Sequence, residues 1–183
     1  SYTISVELNA AATQVDGTGI ITKCGTETPM PANHWSLGFG GGATAGKIVA
    51  FNGMTMWDTG ITLTQIAGNW HHVAVVYGSG FINSYLDGTP VTSAAFAALP
   101  VSGDGHLNIG CDRQKFRYYK GLIDDISIFD YELMPEEVAA LASGSFEDPA
   151  GQIICTVKPE GDLNDDCKVD CRDYAELAAN WLK

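Results

Sequence analysis

Up to Phe129 the hydrophobic pattern is one of short runs broken by turn residues. Tyr2-Thr3-Ile4-Ser5-Val6-Glu7-Leu8 alternates with a period of two, and Gly19 to Gly25 reads as a strand closed by glycine. Trp35 to Phe39 alternates again. After the Gly40–Gly46 turn, Lys47 to Phe51 is placed to pair back across it. His72 to Tyr77 is an almost continuous apolar run, the pattern of a strand buried on both faces. Ile82 to Leu86 ends in Asp87-Gly88, a hairpin signal, because both central residues of the tight turn need positive φ. Leu107 to Gly110 and Gly121 to Phe129 supply two further strands. Many short strands at fairly even spacing predict an all-β, two-sheet antiparallel jelly-roll sandwich.

Two segments change period. Pro135 to Ala142 places Pro and two glutamates in a first helical turn and Gly144 just past the end. Asp173 to Leu182 puts Leu177, Ala178, Trp181 and Leu182 on one helical face. Glu147 to Gly161, with Pro149 and Pro159, has no period and reads as a linker. The organisation expected is a sandwich over 1–146, a linker over 147–160 and a small loop-helix unit over 161–183.

Composition supports strands. Charged residues are only 17% of the 183, whereas glycine occurs 21 times. The net charge of −12 excludes a phosphate-backbone binder, which needs a basic face, and disfavours anionic membrane surfaces. No apolar run reaches the length of a membrane span. The chain opens on a strand pattern with no secretory leader, as a mature form or an excised region of a larger protein would.

The last segment carries the most specific chemistry. Asp162-Leu163-Asn164-Asp165-Asp166-Cys167-Lys168-Val169-Asp170-Cys171-Arg172-Asp173 has the twelve-residue spacing of an EF-hand-like loop. Oxygen donors fall at positions 1, 3, 5, 7, 9 and 12: Asp162, Asn164, Asp166, the Lys168 carbonyl, Asp170 and Asp173. A hard cation wanting six to eight oxygens is thereby predicted, and calcium is the cofactor expected. With Leu177-Ala178 and Asn180-Trp181-Leu182 following, the segment resembles one repeat of a dockerin, the calcium-binding module that docks secreted enzymes onto cohesins. The resemblance implies a cohesin-like or neighbouring-domain partner. It departs at position 6, normally glycine and here Cys167, and in showing one repeat where a working dockerin has two.

In the body, Gly68-Asn69-Trp70-His71-His72-Val73-Ala74-Val75-Val76-Tyr77 is followed by Tyr85-Leu86-Asp87-Gly88, Leu107-Asn108-Ile109-Gly110 and Gly121-Leu122-Ile123-Asp124-Asp125-Ile126. Leu133, Glu136-Glu137-Val138 and Leu141 close the series. That order and spacing resembles the laminin-G-like, concanavalin-A-like jelly-roll modules of secreted bacterial proteins. The resemblance implies two packed antiparallel sheets of about a dozen strands and a non-catalytic, often sugar-binding role. It also makes Asp124 and Asp125 candidates for a calcium on the sheet rim. The alternative is that one of these carboxylates anchors a loop by accepting backbone N–H bonds.

A sugar site needs exposed aromatics to stack on pyranose faces, with polar side chains beside them. Trp35, Trp57, Tyr118, Tyr119, Arg113 and Arg117 lie in or near the expected loops. Trp70 reads as core. His71 and His72 are adjacent, so in a strand they point to opposite faces and cannot share one metal. A glycosidase on such a sandwich needs paired carboxylates as Glu-x-Asp-x-x-Glu. The nearest match, Glu160-x-Asp162-x-x-Asp165, falls in the calcium loop and ends in the wrong residue. Neither Gly-x-Ser-x-Gly nor His-Glu-x-x-His occurs.

Five cysteines suggest an oxidising compartment. A Cys24–Cys111 bridge between strand ends is one expectation. In the tail, Cys155 bridging back to Cys167 or Cys171 is another. The sequence therefore points to a secreted or cell-surface, non-enzymatic module that binds polysaccharide or glycoprotein glycan, with a calcium-binding tail. Two rivals stay open: a spacer or protein–protein module without sugar affinity, and a glycoside hydrolase whose site is not recognisable.

Overall fold

A computed structural model describes residues 1–24, 35–52, 55–96 and 106–146. By backbone contacts the chain divides into two units, Ser1–Ser145 and Phe146–Lys183. The calcium loop, the helix expected after it, and Cys155, Cys167 and Cys171 lie outside the described residues.

The body has ten described strands: β1 (Tyr2–Ala10), β2 (Gly19–Cys24), β3 (Trp35–Phe39), β4 (Lys47–Asn52), β5 (Thr55–Thr62), β6 (His71–Tyr77), β7 (Phe81–Leu86), β8 (Thr89–Ala95), β9 (His106–Ile109) and β10 (Gly121–Phe129). Two helices, α1 (Leu63–Ile66) and α2 (Pro135–Ala142), accompany them. A back sheet runs β10-β1-β6-β7-β8 and a front sheet β5-β4-β3-β2-β9, every pairing antiparallel. The all-β sandwich expected from the sequence is what forms.

Alternation explains the core. Ile4, Val6 and Leu8 of β1 face Leu37 and Phe39 of β3 and Ile48 and Ala50 of β4 in one buried cluster, joined by Val73, Val75 and Tyr77 of β6. Tyr2 stacks on Tyr77 with ring centroids 4.3 Å apart and lies 6.1 Å from Trp35 of the opposing sheet. At the other margin the sheets are tied by hydrogen bonds, with Ser84 Oγ (2.7 Å) and Thr92 Oγ1 (3.0 Å) both donating to the Thr59 carbonyl.

Turn chemistry is as expected. Asp87 (φ 50) and Gly88 (φ 74) link β7 to β8 in the tight turn their sequence demands. At the end of α2, Gly144 takes φ 69, and the Ser145 N–H reaches the Ala140 carbonyl at 2.9 Å. Strands β5 and β8 carry threonines, a serine and alanines in place of a strong apolar alternation.

The centre of the back sheet is covered on both faces. His72, Ala74 and Val76 alternate away from the core yet are no more than 4% exposed. The segment ending in α2 supplies the cover, with Leu133 and Val138 buried. Thr3 Oγ1 donates to the Tyr131 carbonyl (2.9 Å) and accepts from the Leu133 N–H (3.0 Å), and α2 approaches at Gly88, where a Cβ would lie 2.9 Å from Ala139 Cα. The continuous apolar run of β6 thus reflects two buried faces. Trp70, expected in the core, is 46% exposed, because it sits in the turn after Gly68 (φ 84) and outside the alternation of β6.

The Cys24–Cys111 bridge does not form. The β2–β9 register sets Cys24 opposite His106 and Ile21 opposite Ile109, and Cys111 follows at the far end, beside Gly19. At ~3.3 Å per residue the two α-carbons are roughly 16 Å apart, well beyond disulfide reach, and Cys111 is a free thiol.

Beneath the α2 segment, His72 Nε2 lies 2.7 Å from Ser5 Oγ, and its Nδ1 is buried without a partner. Burial pushes its pKa below the ordinary value, against a weaker opposing pull from Asp87. Glu7 lies across the strand pair from His72, and His71 is held by Asp87 at 2.8 Å. Since folding depresses the pKa, the unfolded chain binds the proton more readily. The stabilisation is therefore complete above the unfolded value of about 6.5 and is lost as pH falls below it. Urea midpoints of the wild type should drop between pH 7 and pH 5.5, whereas His72→Gln, which keeps a partner for Ser5, should show a flatter profile. Parallel profiles would contradict this.

Candidate functional site

The front sheet differs from the back sheet in that α2 does not cover it. Its outward positions include Thr22 of β2, Ser36 and Gly38 of β3 and Phe51 of β4, neighbours across the sheet by register. They floor a cleft of about 270 Å³ whose wall is built by Gly17, Thr18 and Gly19 and by Asp112, Arg113, Gln114 and Arg117.

Both walls are connections that cross between the sheets. Residues 11–18 carry the chain from β1 to β2, and residues 110–120 carry it from β9 to β10. Gln14 joins them: its Nε2 donates to the Lys120 carbonyl, and its Oε1 accepts the Lys120 N–H at 3.0 Å. The Ala11 N–H adds a second bond to that carbonyl at 2.9 Å.

Glycine permits the close approach. A Cβ on Gly19 would lie 2.2 Å from the Cys111 carbonyl oxygen, and one on Gly38 would lie 2.3 Å from that of Thr18. Gly17, at φ 78, has the Arg117 guanidinium against it, 3.0 Å from where a Cβ would stand.

The second wall is a small hairpin. The Tyr119 N–H bonds to the Gly110 carbonyl (2.8 Å), that of Asp112 to the Arg117 carbonyl (3.1 Å), and that of Lys115 to the Asp112 carbonyl (3.0 Å). Asp112, only 7% exposed, accepts the Phe116 N–H at 3.1 Å and the Arg117 N–H at 3.4 Å on Oδ1. Its Oδ2 is 3.5 Å from Arg117 Nη1. One buried carboxylate thus fixes both the loop backbone and one of the two guanidinia lining the cleft. Arg117 also lies 4.6 Å over the exposed Phe116 ring.

The residues singled out from the sequence separate into three groups. Arg113 and Arg117 line the cleft. Tyr118 is on the same hairpin and 61% exposed, its hydroxyl donating to the Lys115 carbonyl. Tyr119 turns inward: it stacks on the buried Phe39 at 6.4 Å and packs against the core, and burial pushes its phenol up to about 12. Trp35 and Trp57 point inward and pack against the core, so they are structural in place of sugar-facing. Phe51, Ser36, Thr22 and the buried Asp112 were not legible as site residues. Phe51 looked like any apolar strand position, and only the sheet's open face sets it in the cleft.

Asp124 and Asp125 do not assemble a cage. They are exposed on β10 at the bulge opposite Ser5–Glu7; Asp125 takes φ 45, and its N–H bonds to Asp124 Oδ1 at 2.9 Å. Among the described residues, no three His, Cys, Asp or Glu side chains converge as metal ligands. Asp124 thus accepts a backbone N–H, in line with the alternative given for this pair, and Asp112 accepts two in the hairpin.

Gly38→Ala would place a methyl against the Thr18 carbonyl, which cannot move without losing its 2.7 Å bond from the Phe39 N–H. A loss of about 1–3 kcal/mol in urea unfolding is expected. Gly41→Ala, whose nearest neighbour is a side-chain carbon at 3.2 Å, should cost clearly less. Equal stabilities would contradict the account of the cleft floor.

No curated protein matches the chain. Among solved structures it is similar to domain 4 of AbnA, a GH43 extracellular arabinanase from Geobacillus stearothermophilus in complex with arabinotriose, with TM-score 0.61 and 22% identity over 77% of this chain and 66% of that one. The chain therefore spans slightly less than two thirds of that structure. It is also similar to the CBM40 of the Ruminococcus gnavus IT-sialidase bound to α2,3 sialyllactose, with TM-score 0.60 and 12% identity over 77% and 82% of the two chains. A third is the heptameric SAP-like pentraxin of Limulus polyphemus, with TM-score 0.56 and 18% identity over 79% and 70%. At such identities the likeness shows the fold. The family model of the concanavalin A-like lectin/glucanases superfamily matches residues 1–139, and the chain belongs to that superfamily.

Proposed function

We propose that the chain is a non-catalytic carbohydrate-binding module of an extracellular protein, with its glycan seated in the front-sheet cleft. The observation that carries this reading is the uncovered outer face of the front sheet, where Phe51 lies among Thr22, Ser36 and Gln114. An aromatic face beside hydroxyl and amide groups matches the amphipathic surface of a sugar ring. The arabinotriose and sialyllactose complexes of the similar folds support it, as does the extracellular origin of the arabinanase.

Binding without cleavage is favoured by the carboxylate inventory. Hydrolysis of a glycosidic bond uses two carboxyl groups flanking it. Among the described residues the cleft lining holds one, Asp112, already engaged by two backbone N–H groups and Arg117. Phe51→Ala should weaken glycan binding at least tenfold, about 1.4 kcal/mol, with the melting temperature close to that of the wild type. Glycan-array screening followed by titration calorimetry checks this. An unaltered affinity would move the ligand away from the cleft.

The tail belongs to the same proposal. Asp162, Asn164, Asp166, the Lys168 carbonyl, Asp170 and Asp173 would hold one calcium ion, with Cys155 bridged to Cys167 or Cys171 to support the non-glycine position 6. Calorimetry on the full chain should give one calcium per chain, abolished in Asp162→Ala/Asp173→Ala. Reductant should weaken it about tenfold. Affinity indifferent to reductant would remove the disulfide from the account.

A further inference from the structure

The distribution of charge specifies the glycan further, on the reading that the cleft binds carbohydrate. The chain carries 10 Lys and Arg against 22 Asp and Glu. Four of those ten cations, Arg113, Lys115, Arg117 and Lys120, fall within eight residues, in the hairpin that walls the cleft. Carboxylates gather elsewhere: Asp87, Asp124 and Asp125 act on Glu7 at the back sheet, and Glu136 and Glu137 open α2. Of the charged groups lining the cleft, Arg113 and Arg117 outnumber Asp112.

The arrangement is built into the fold. Asp112 is buried and oriented by the loop backbone, and it holds Arg117 from one side at 3.5 Å. The glycine at position 17 leaves room for the guanidinium to lie flat on the opposite wall. A guanidinium is planar and offers a fork of donors that matches a carboxylate, or an oxygen pair of a sulfate, in two parallel bonds. A strongly acidic protein repels polyanions except where the local potential is inverted, and here the inversion coincides with the cleft.

We propose that the cleft selects acidic glycans: sugar units bearing a carboxylate or a sulfate, whose anionic group is bound by Arg113 and Arg117 while the ring lies against Phe51. The neighbouring Lys115 and Lys120 attract such a chain at longer range, an effect that salt screens.

The test is titration calorimetry of the whole chain with three probes: trigalacturonic acid, its trimethyl ester, and a sulfated trisaccharide. The free acid or the sulfated sugar should bind at least tenfold more tightly than the neutral ester, and the tighter of the two names the anionic group. Raising the salt from 50 to 500 mM should reduce that preference severalfold. Arg113→Gln should remove most of it. Arg117→Lys, which keeps a charge against Asp112 and so protects the loop, should also reduce it, because one ammonium cannot replace the fork. Melting curves confirm that both variants fold. An ester that binds as tightly as the acid, with Phe51→Ala still weakening it, would overturn the acidic preference and leave the carbohydrate cleft standing. No binding by any probe, together with no hit among neutral glycans, would overturn both.

Discussion

Everything at the candidate site depends on two sheet-crossing connections lying side by side. The chain first leaves the back sheet after β1 and returns to it for the last time at β10, and these strands pair with each other. The connections that begin and end those strands are therefore brought together at one edge of the sandwich. Gln14 and Lys120 exchange hydrogen bonds across the gap, which satisfies backbone groups that neither sheet can reach. Gly19 and Gly121 occur where a Cβ would strike a backbone carbonyl, at 2.2 and 2.3 Å. The walls of the cleft are thus a consequence of closing the fold, and the arginine-bearing hairpin is held wherever that closure holds it.

The second determinant is an asymmetry between the sheets. Both are amphipathic toward the shared core, but the segment after β10 folds back over the outer face of only one. It brings Leu133 and Val138 over the back sheet and accepts the hydroxyl of Thr3 at the Tyr131 carbonyl. The front sheet keeps a polar outer face with small side chains on β3, where Ser36 and Gly38 leave room beside Phe51. The open cleft and the packing under α2 therefore lie on different sheets of the sandwich.

Charge follows the same division. Among the described residues, one acidic cluster gathers on the back sheet, where burial and the neighbouring Asp87, Asp124 and Asp125 raise the pKa of Glu7, and Glu136 and Glu137 open α2. The cationic hairpin stands on the other sheet's cleft. A single buried carboxylate, Asp112, sits between the Arg117 guanidinium and the loop amides and orients both.

Much of the fold was legible in the sequence. The alternation of β1, the double-sided apolar run of β6, the Asp87-Gly88 turn and the helix framed by Pro135 and Gly144 are local signals, and local chemistry fixes them. Arg113 and Arg117 were also readable as polar residues in a loop. Strand β5 was not, because the buried Thr59 interrupts its apolar alternation, and the hydroxyl is satisfied only once β4 lies alongside and offers the Ile48 carbonyl. Trp35 and Trp57 looked like sugar-stacking candidates and turned inward, since the face a strand residue takes depends on its register with neighbours far along the chain. For the same reason Cys24 and Cys111, both at strand ends, lie at opposite ends of one strand pair. The sequence by itself determined which segments become strands and where they turn. Only the tertiary structure decided which face of the front sheet stays open and which loop stands over it, because those outcomes arise from pairing between residues more than a hundred positions apart.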